Sequence, residues 1–396
     1  MNPMNTSTFA PFAKPLYIML KPVGAVCNLR CNYCYYLEKK ELYPDDKKFV
    51  MSDALLEKFT KEYINSQTTN EVMFVWHGGE TLMRNIDFYK RALYFQKKYA
   101  GGKSIANSLQ TNGTLLTDEW CRFFKENDFL IGISLDGPQH CHDRYRKTKD
   151  KRPSFFHVMK GVELLKKFNV EYNIMAVVND YNVNHPLEFY NFFKSIGAKY
   201  IQFAPIVEQI DGQMAPWNVP SDKWGEFLIA IFDEWVKQDV GKIYVQIFDA
   251  ALANWVGVEP GVCIFAKKCG HAGVMEFNGD VYACDHFVYP AYKIGNIYSK
   301  SLIDMMYSEK QITFGNDKYD RLPQQCKDCK YQFACRGECP KNRIIATKDG
   351  KPGLNYLCNG YYKFFDHIAP YMNFMKNELE NKRPPANIMT SLDDFI

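Results

Sequence analysis

Between residues 15 and 238, short apolar runs alternate with stretches whose apolar positions recur every three or four residues. The runs are Leu16–Leu20, Val72–Trp76, Ser104–Leu109, Leu130–Ser134, Val170–Val178 and Lys199–Ala204, and β-branched and aromatic residues mark them as strands. The segments between them predict helices. Ser52 stands ahead of Leu55, Leu56, Phe59 and Tyr63, and Thr117 ahead of Trp120, Phe123 and Phe124, each placed to cap an apolar face. Further helices are expected over Phe155–Phe168, Pro186–Ser195 and Asp222–Gln238. Six such units predict an α/β fold with a parallel sheet and helical crossovers. Six do not complete an eight-stranded barrel, so a partial, open (β/α)6 barrel is expected.

From about Gly241 the periodicity weakens, cysteines become dense and turns such as Asn278-Gly279-Asp280 appear. Val274–Ala283 predicts a hairpin, Tyr361–Glu380 a closing helix, and Lys382–Ile396, with Pro384-Pro385, a loose tail. The expected organisation is a barrel over 15–240, a cysteine-rich domain over 241–375 and a C-terminal tail over 376–396.

Charge adds an exclusion. Lys and Arg number 49 against 45 Asp and Glu, too balanced for nucleic acid or an anionic membrane as main partner. No apolar run approaches the ~20 residues of a membrane span. The opening MNPMNTSTFAPFAKP lacks the basic start and apolar core of an export signal, which predicts a cytoplasmic protein. The 13 cysteines then stand out: an odd count without an export signal argues against a disulfide framework and for metal or redox chemistry.

Their placement divides them. Cys27-x3-Cys31-x2-Cys34 follows the first strand, where βα barrels hold their active sites. Three thiolates on one loop can meet on one metal centre. A zinc site would want a fourth ligand nearby, and the next histidine is His77; a four-iron cluster held by three cysteines keeps one iron open. The second group comprises Cys263, Cys269, Cys284, Cys326, Cys329, Cys335, Cys339 and Cys358, enough for two four-thiolate sites. All-sulfur sites mean zinc or iron–sulfur, and spacing alone leaves two structural zincs open. Cys121 falls on an amphipathic helix and is expected in the core; Cys141, in His140-Cys141-His142, is expected on a surface loop.

Cys27-Asn28-Leu29-Arg30-Cys31-Asn32-Tyr33-Cys34 resembles the CxxxCxφC signature of the radical S-adenosylmethionine (SAM) superfamily, Tyr33 supplying the aromatic position. His77-Gly78-Gly79-Glu80 is similar to that family's GGE motif, whose backbone holds the SAM amino group. The likeness further implies Ser134 near the SAM carboxylate or ribose, Arg146 pairing with the carboxylate and Val207 against adenine. A guanidinium suits a carboxylate because it can donate bidentately. The later run Cys326-x2-Cys329-x5-Cys335-x3-Cys339 resembles the SPASM extension of radical SAM maturases. That likeness implies one auxiliary cluster on Cys263, Cys269, Cys284 and the crossing Cys339, and a second on Cys326, Cys329, Cys335 and Cys358. Three [4Fe–4S] clusters and SAM are the cofactors so implied.

Within the superfamily the chain resembles the anaerobic sulfatase-maturating enzymes, through Gln202-Phe203-Ala204-Pro205 and Tyr282-Ala283-Cys284-Asp285-His286-Phe287. His77 and Thr81 depart from the Gln and Pro common at those places. The resemblance implies SAM cleavage to methionine and a 5′-deoxyadenosyl radical, and hydrogen abstraction from Cβ of a Cys or Ser in a C/S-x-P/A-x-R sulfatase motif. Asp285 would be the base and formylglycine the product. An unfolded or nascent sulfatase polypeptide would be the partner, and flavodoxin or ferredoxin the electron donor. A carboxylate of ordinary pKa is a feeble base for a thiol, so Asp285 is expected to be buried and raised. The alternative within the same architecture is a maturase that crosslinks ribosomal peptides through thioether or C–C bonds.

Overall fold

The computed structural model describes residues 15–46, 48–270 and 272–392. The opening segment read for an export signal and the last residues of the expected tail lie outside the described residues. Ser52 accepts from Leu55 N at 3.2 Å and Thr117 from Trp120 N at 3.3 Å, so both expected caps start their helices. The six strands are β1 (Tyr17–Lys21), β2 (Glu71–Trp76), β3 (Ser104–Thr111), β4 (Phe129–Ser134), β5 (Tyr172–Val178) and β6 (Tyr200–Pro205). They pair in parallel in that order. Helices α1 (Asp53–Asn65), α2 (Ile86–Tyr99), α3 (Asp118–Glu126), α4 (Gln139–Tyr145), α5 (Phe155–Lys167), α6 (Pro186–Ser195) and α7 (Ser221–Gln238) occupy the crossovers. The partial six-unit barrel is as expected.

The sheet does not stop there. The cysteine-rich half contributes strands Ala272–Glu276, Asp280–Tyr282 and Lys293–Asn296, the first two forming the expected hairpin. Ala272–Glu276 lies parallel to β1, from Tyr17 beside Ala272 to Lys21 beside Glu276. Tyr244–Val245 closes the far edge against β6, giving one sheet of ten strands. The strand that carries the first cysteine loop is therefore hydrogen-bonded to the half that carries the other eight cysteines.

Two helical features differ from expectation. α8 (Gln246–Val256) forms where the periodicity looked weak, because Ile247, Phe248, Ala250, Ala251 and Trp255 bury most of its circumference and leave little polar stripe to read. The C-terminal helix spans Cys358–Glu380 and packs across α7. At the crossing a Cβ on Gly360 would lie 2.0 Å from Ser221 O, and one on Gly225 2.6 Å from Gly360 O. Beyond it the chain is not loose: Pro385–Thr390 folds back, Ile388 is fully buried, and Asn387 Nδ2 donates to Glu378 Oε2 at 2.6 Å. Among the described residues no helix is long and apolar enough to cross a membrane. Gly360→Leu should overpack the crossing and cost roughly 1–3 kcal/mol of stability. Anaerobic thermal denaturation checks this, and an unchanged transition would contradict the close approach.

Candidate active site

After β1 the chain turns at Gly24, φ +53°, where a Cβ would strike the Phe277 ring at 2.9 Å. The loop bearing Cys27, Cys31 and Cys34 is then zipped to residues 145–147: Arg30 N donates to Lys147 O at 2.8 Å and Asn32 N to Tyr145 O at 3.1 Å. This delivers Tyr33 to Arg146. Arg146 Nη1 donates to Tyr33 Oη at 2.9 Å, and Tyr33 donates in turn to the buried Asp136. Arg146 is 8% exposed, and its Nε is buried without an acceptor. A buried guanidinium donor left unpaired has the character of a site for an anionic group.

The loop after β2 is seated on the same turn. Gly79 N donates to Gly24 O and Glu80 N to Val26 O, both at 2.8 Å. A Cβ on Gly79 would lie 2.0 Å from Val26 O, so this cradle admits glycine alone, and Gly78 has φ +151°. Glu80 is fully buried and turns inward: its carboxylate accepts from Leu82 N at 2.9 Å, Thr111 Oγ1 at 2.7 Å and Asn112 N at 2.8 Å. It therefore locks the glycine loop to the end of β3, and burial raises its pKa despite those donors. Ser134 Oγ accepts from Gln110 Nε2 at 2.9 Å, and Val207 is buried with its carbonyl bonded to Lys341 Nζ at 2.8 Å. Tyr33, Gly78, Gly79, Glu80, Ser134 and Val207 thus stand at or just after the ends of β1, β2, β4 and β6, and Arg146 joins them from the end of α4.

The thiols fall into three groups by mutual electrostatic influence. Cys27, Cys31 and Cys34 form one; Cys263, Cys269, Cys284 and Cys339 another; Cys326, Cys329, Cys335 and Cys358 the third. The third group lines a cavity of about 770 Å³. Among the described residues no three His, Cys, Asp or Glu side chains are set around a single metal ion. Thiols ranged about a cavity suit a polynuclear centre. Burial lifts the Cys27 pKa to about 11 and that of Cys31 to about 12, and pushes Cys284, Cys335 and Cys339 up as well. Only a bound metal would make thiolates of them at neutral pH. Cys121 is core, as expected. Cys141 is also fully buried, on α4, against the expected surface position: the short helix turns it inward and leaves His140 outside.

Asp285 lies between the first two groups. Its carboxylate is ion-paired to Lys21 Nζ at 2.5 Å and accepts from Tyr35 Oη. Tyr35 is influenced by both Cys34 and Cys284. Lys21 is fully buried, sits 4.0 Å from the Tyr36 ring centroid and lies 3.2 Å from His77 Nδ1. The expected rise in the Asp285 pKa is reversed. Burial alone would raise it, but the Lys21 ammonium outweighs that and holds it well below the carboxylate range. Burial, and then Lys21, lower His77 to about 3, so the ring is neutral. Its Nδ1, which also accepts from Gly78 N at 2.8 Å, is the acceptor nitrogen. Burial, then Lys341, lower His286 to about 4, and its Nδ1 has no partner. Tyr36 Oη donates to the buried Glu276 carboxylate beside Lys21, and none of Lys21, Tyr35, Tyr36 and Glu276 is singled out by the sequence pattern. The available signals were a lysine closing an apolar strand and two tyrosines directly after a cysteine ligand.

The barrel matches the radical SAM superfamily model over residues 22–193, and residues 269–330 match the SPASM iron-sulfur cluster-binding domain. The chain is 63% identical to a serine-type anaerobic sulfatase-maturating enzyme of Bacteroides thetaiotaomicron, over 99% of this chain and 98% of that protein. The chain belongs to the anaerobic sulfatase-maturating enzymes. A serine-type enzyme of Klebsiella aerogenes is 37% identical over 92% of this chain and 88% of its own length. The solved structure of native anSMEcpe with bound AdoMet and Cp18Cys peptide superposes with a TM-score of 0.83 at 30% identity, over 92% of this chain and all of that one. The chain is accordingly a radical SAM enzyme that matures sulfatases, with SAM and three [4Fe–4S] clusters as cofactors; the crosslinking alternative is not favoured. The grouped thiols, the glycine cradle and the unpaired Arg146 Nε fit those cofactors.

The reconstituted enzyme should carry about twelve irons, and Cys27→Ala/Cys31→Ala/Cys34→Ala about eight. Iron and sulfide assays check the grouping, and loss of more than one cluster's iron would contradict it.

Proposed function

We propose that the enzyme oxidises a serine of a C/S-x-P/A-x-R sulfatase motif to formylglycine, with Asp285 as base. The observation that carries this is the placement of Asp285 between two thiol groups, bonded to Tyr35 and Lys21. The serine preference rests on the two serine-type relatives. Cys27, Cys31 and Cys34 would hold the SAM-cleaving cluster. Cys263, Cys269, Cys284 and Cys339 would hold the first auxiliary cluster, and Cys326, Cys329, Cys335 and Cys358 the second. SAM would lie along the strand ends: backbone of Gly78 and Gly79 toward its amino group, Arg146 Nε toward its carboxylate, Ser134 and Tyr33 beside it, and Val207 against adenine. Glu80 serves that site through the loop it locks.

When bound, SAM with its cluster supplies a radical that takes a hydrogen from the substrate Cβ, and the auxiliary clusters take up one electron. The chain's own residues handle the proton. Asp285, held ionised by Lys21, is a poor base toward an ordinary hydroxyl but an adequate one once the carbon is oxidised and its O–H strongly acidic. The low Asp285 pKa thus ties proton transfer to electron loss. Lys21 keeps the carboxylate oriented, and neutral His77 adds no second charge beside the pair. An unfolded or nascent sulfatase chain in the cytoplasm would supply the substrate, and a flavodoxin- or ferredoxin-type protein the reducing electron.

Asp285→Asn should leave SAM cleavage in place and lower formylglycine by roughly a hundredfold or more. The assay is anaerobic turnover of matched Ser and Cys sulfatase peptides, read by mass spectrometry for loss of two hydrogens or conversion of thiol to aldehyde. Undiminished aldehyde from the variant would end the base assignment; Cys turnover far above Ser would end the serine preference.

A further inference from the structure

Among the described residues, two cations drawn into the cysteine-rich interior, Lys318 and Arg343, have no carboxylate within ion-pair distance. Lys318, on the helix Glu309–Asp320, is fully buried. Its Nζ donates to the carbonyl oxygens of Cys263 and, at 2.8 Å, Ile264. Arg343 is half-buried and spends its guanidinium on carbonyls: Nε on Gly337 O at 3.0 Å, Nη1 on Lys318 O at 2.6 Å, and Nη2 on Arg336 O at 3.4 Å and Glu338 O at 3.3 Å. Among the described residues neither cation has a carboxylate oxygen within ion-pair distance. The Glu338 carboxylate, whose charge both feel, is taken by the amides of Asn342 at 3.0 Å and Asn355 at 2.6 Å.

One buried carboxylate facing two cations leaves a surplus of positive charge, which is unfavourable in an interior unless a further anion lies beside it. The thiols supply the direction. Lys318 bonds the carbonyl of Cys263 and lies within electrostatic reach of the Cys269, Cys263 and Cys339 thiols, all of one group. Arg343 bonds the carbonyls of Gly337 and Glu338, between Cys335 of the other auxiliary group and Cys339 of the first, and lies within electrostatic reach of Cys326, Cys269 and Cys339. Four thiolates around a [4Fe–4S] core carry net negative charge, and one-electron reduction adds another. A fixed cation beside the ligands stabilises the reduced form more than the oxidised one, and so raises the potential.

We propose that Lys318 is the resident counter-ion of the first auxiliary cluster and Arg343 a counter-ion shared by both, and that they set the potentials of the electron-accepting pair. The proposal rests on the two four-cysteine ligand sets assigned above. Lys318 and Arg343 are positioning residues in this sense: they touch ligand-bearing loops and act through charge.

The test is an EPR-monitored redox titration of the reconstituted full-length enzyme, with iron counted for each variant. Lys318→Met should disfavour reduction of the first auxiliary cluster at least tenfold, a fall of 59 mV for a one-electron couple. Lys318→Arg should keep the wild-type potential. Arg343→Gln should lower both auxiliary potentials at least threefold in reduction equilibrium and leave the SAM-binding cluster where it was. Unshifted potentials with full iron would overturn the proposal, as would Lys318→Arg falling as far as Lys318→Met. If Lys318→Met does not assemble its clusters, Arg343→Gln decides by the same readout. A missing cluster in the wild type would instead count against the ligand sets.

Discussion

The fully buried ammonium of Lys21 is the point on which the two halves of the chain depend. It closes β1, the strand whose next loop carries the first three cysteines, and its ion-pair partner is Asp285, directly after a cysteine of the other half. A lysine so placed requires an anion, and the parallel register of β1 with Ala272–Glu276 is what brings one within 2.5 Å. The Tyr36 ring, His77 Nδ1 and the buried Glu276, which also feels its charge, surround it. One electrostatic requirement therefore links strand pairing, loop placement and the ionisation state of Asp285, the proposed base.

The same logic extends outward. Tyr35 stands under the influence of Cys34 on one side and Cys284 on the other, and Arg343 under that of Cys339 and Cys326. Charged or hydrogen-bonding side chains thus occupy the intervals between successive thiol groups. Interiors of this kind hold negative centres close together by interleaving cations and donors. Because the sheet runs unbroken through both halves, those intervals are fixed by backbone hydrogen bonds and not by a linker.

Much of this was legible in the residues. Ser52 and Thr117 announce their helices because a cap is a local bond between neighbours, and the cysteine groups are legible because ligand spacing is local too. Asp285 could be singled out beside Cys284, but not its charge state: that is set by Lys21 on a distant strand, and the nearer rule, burial, has the opposite sign. Cys141 departs from its expected surface position because a one-residue step on a short helix decides whether a side chain faces in or out. The strap over Pro385–Thr390 is not legible because two prolines break periodicity, and one buried side chain, Ile388, with the Asn387–Glu378 bond, anchors it without leaving a period.

The claim that Lys21 binds the halves into one reacting unit is tested most directly by Lys21→Met, which keeps the stem and removes the charge. The measurement is formylglycine formed per 5′-deoxyadenosine released, in enzyme with full iron content. A sharp fall in that ratio with SAM cleavage retained is the expected result, because Asp285 loses the cation that orients and ionises it. A ratio equal to that of the wild type would contradict the account.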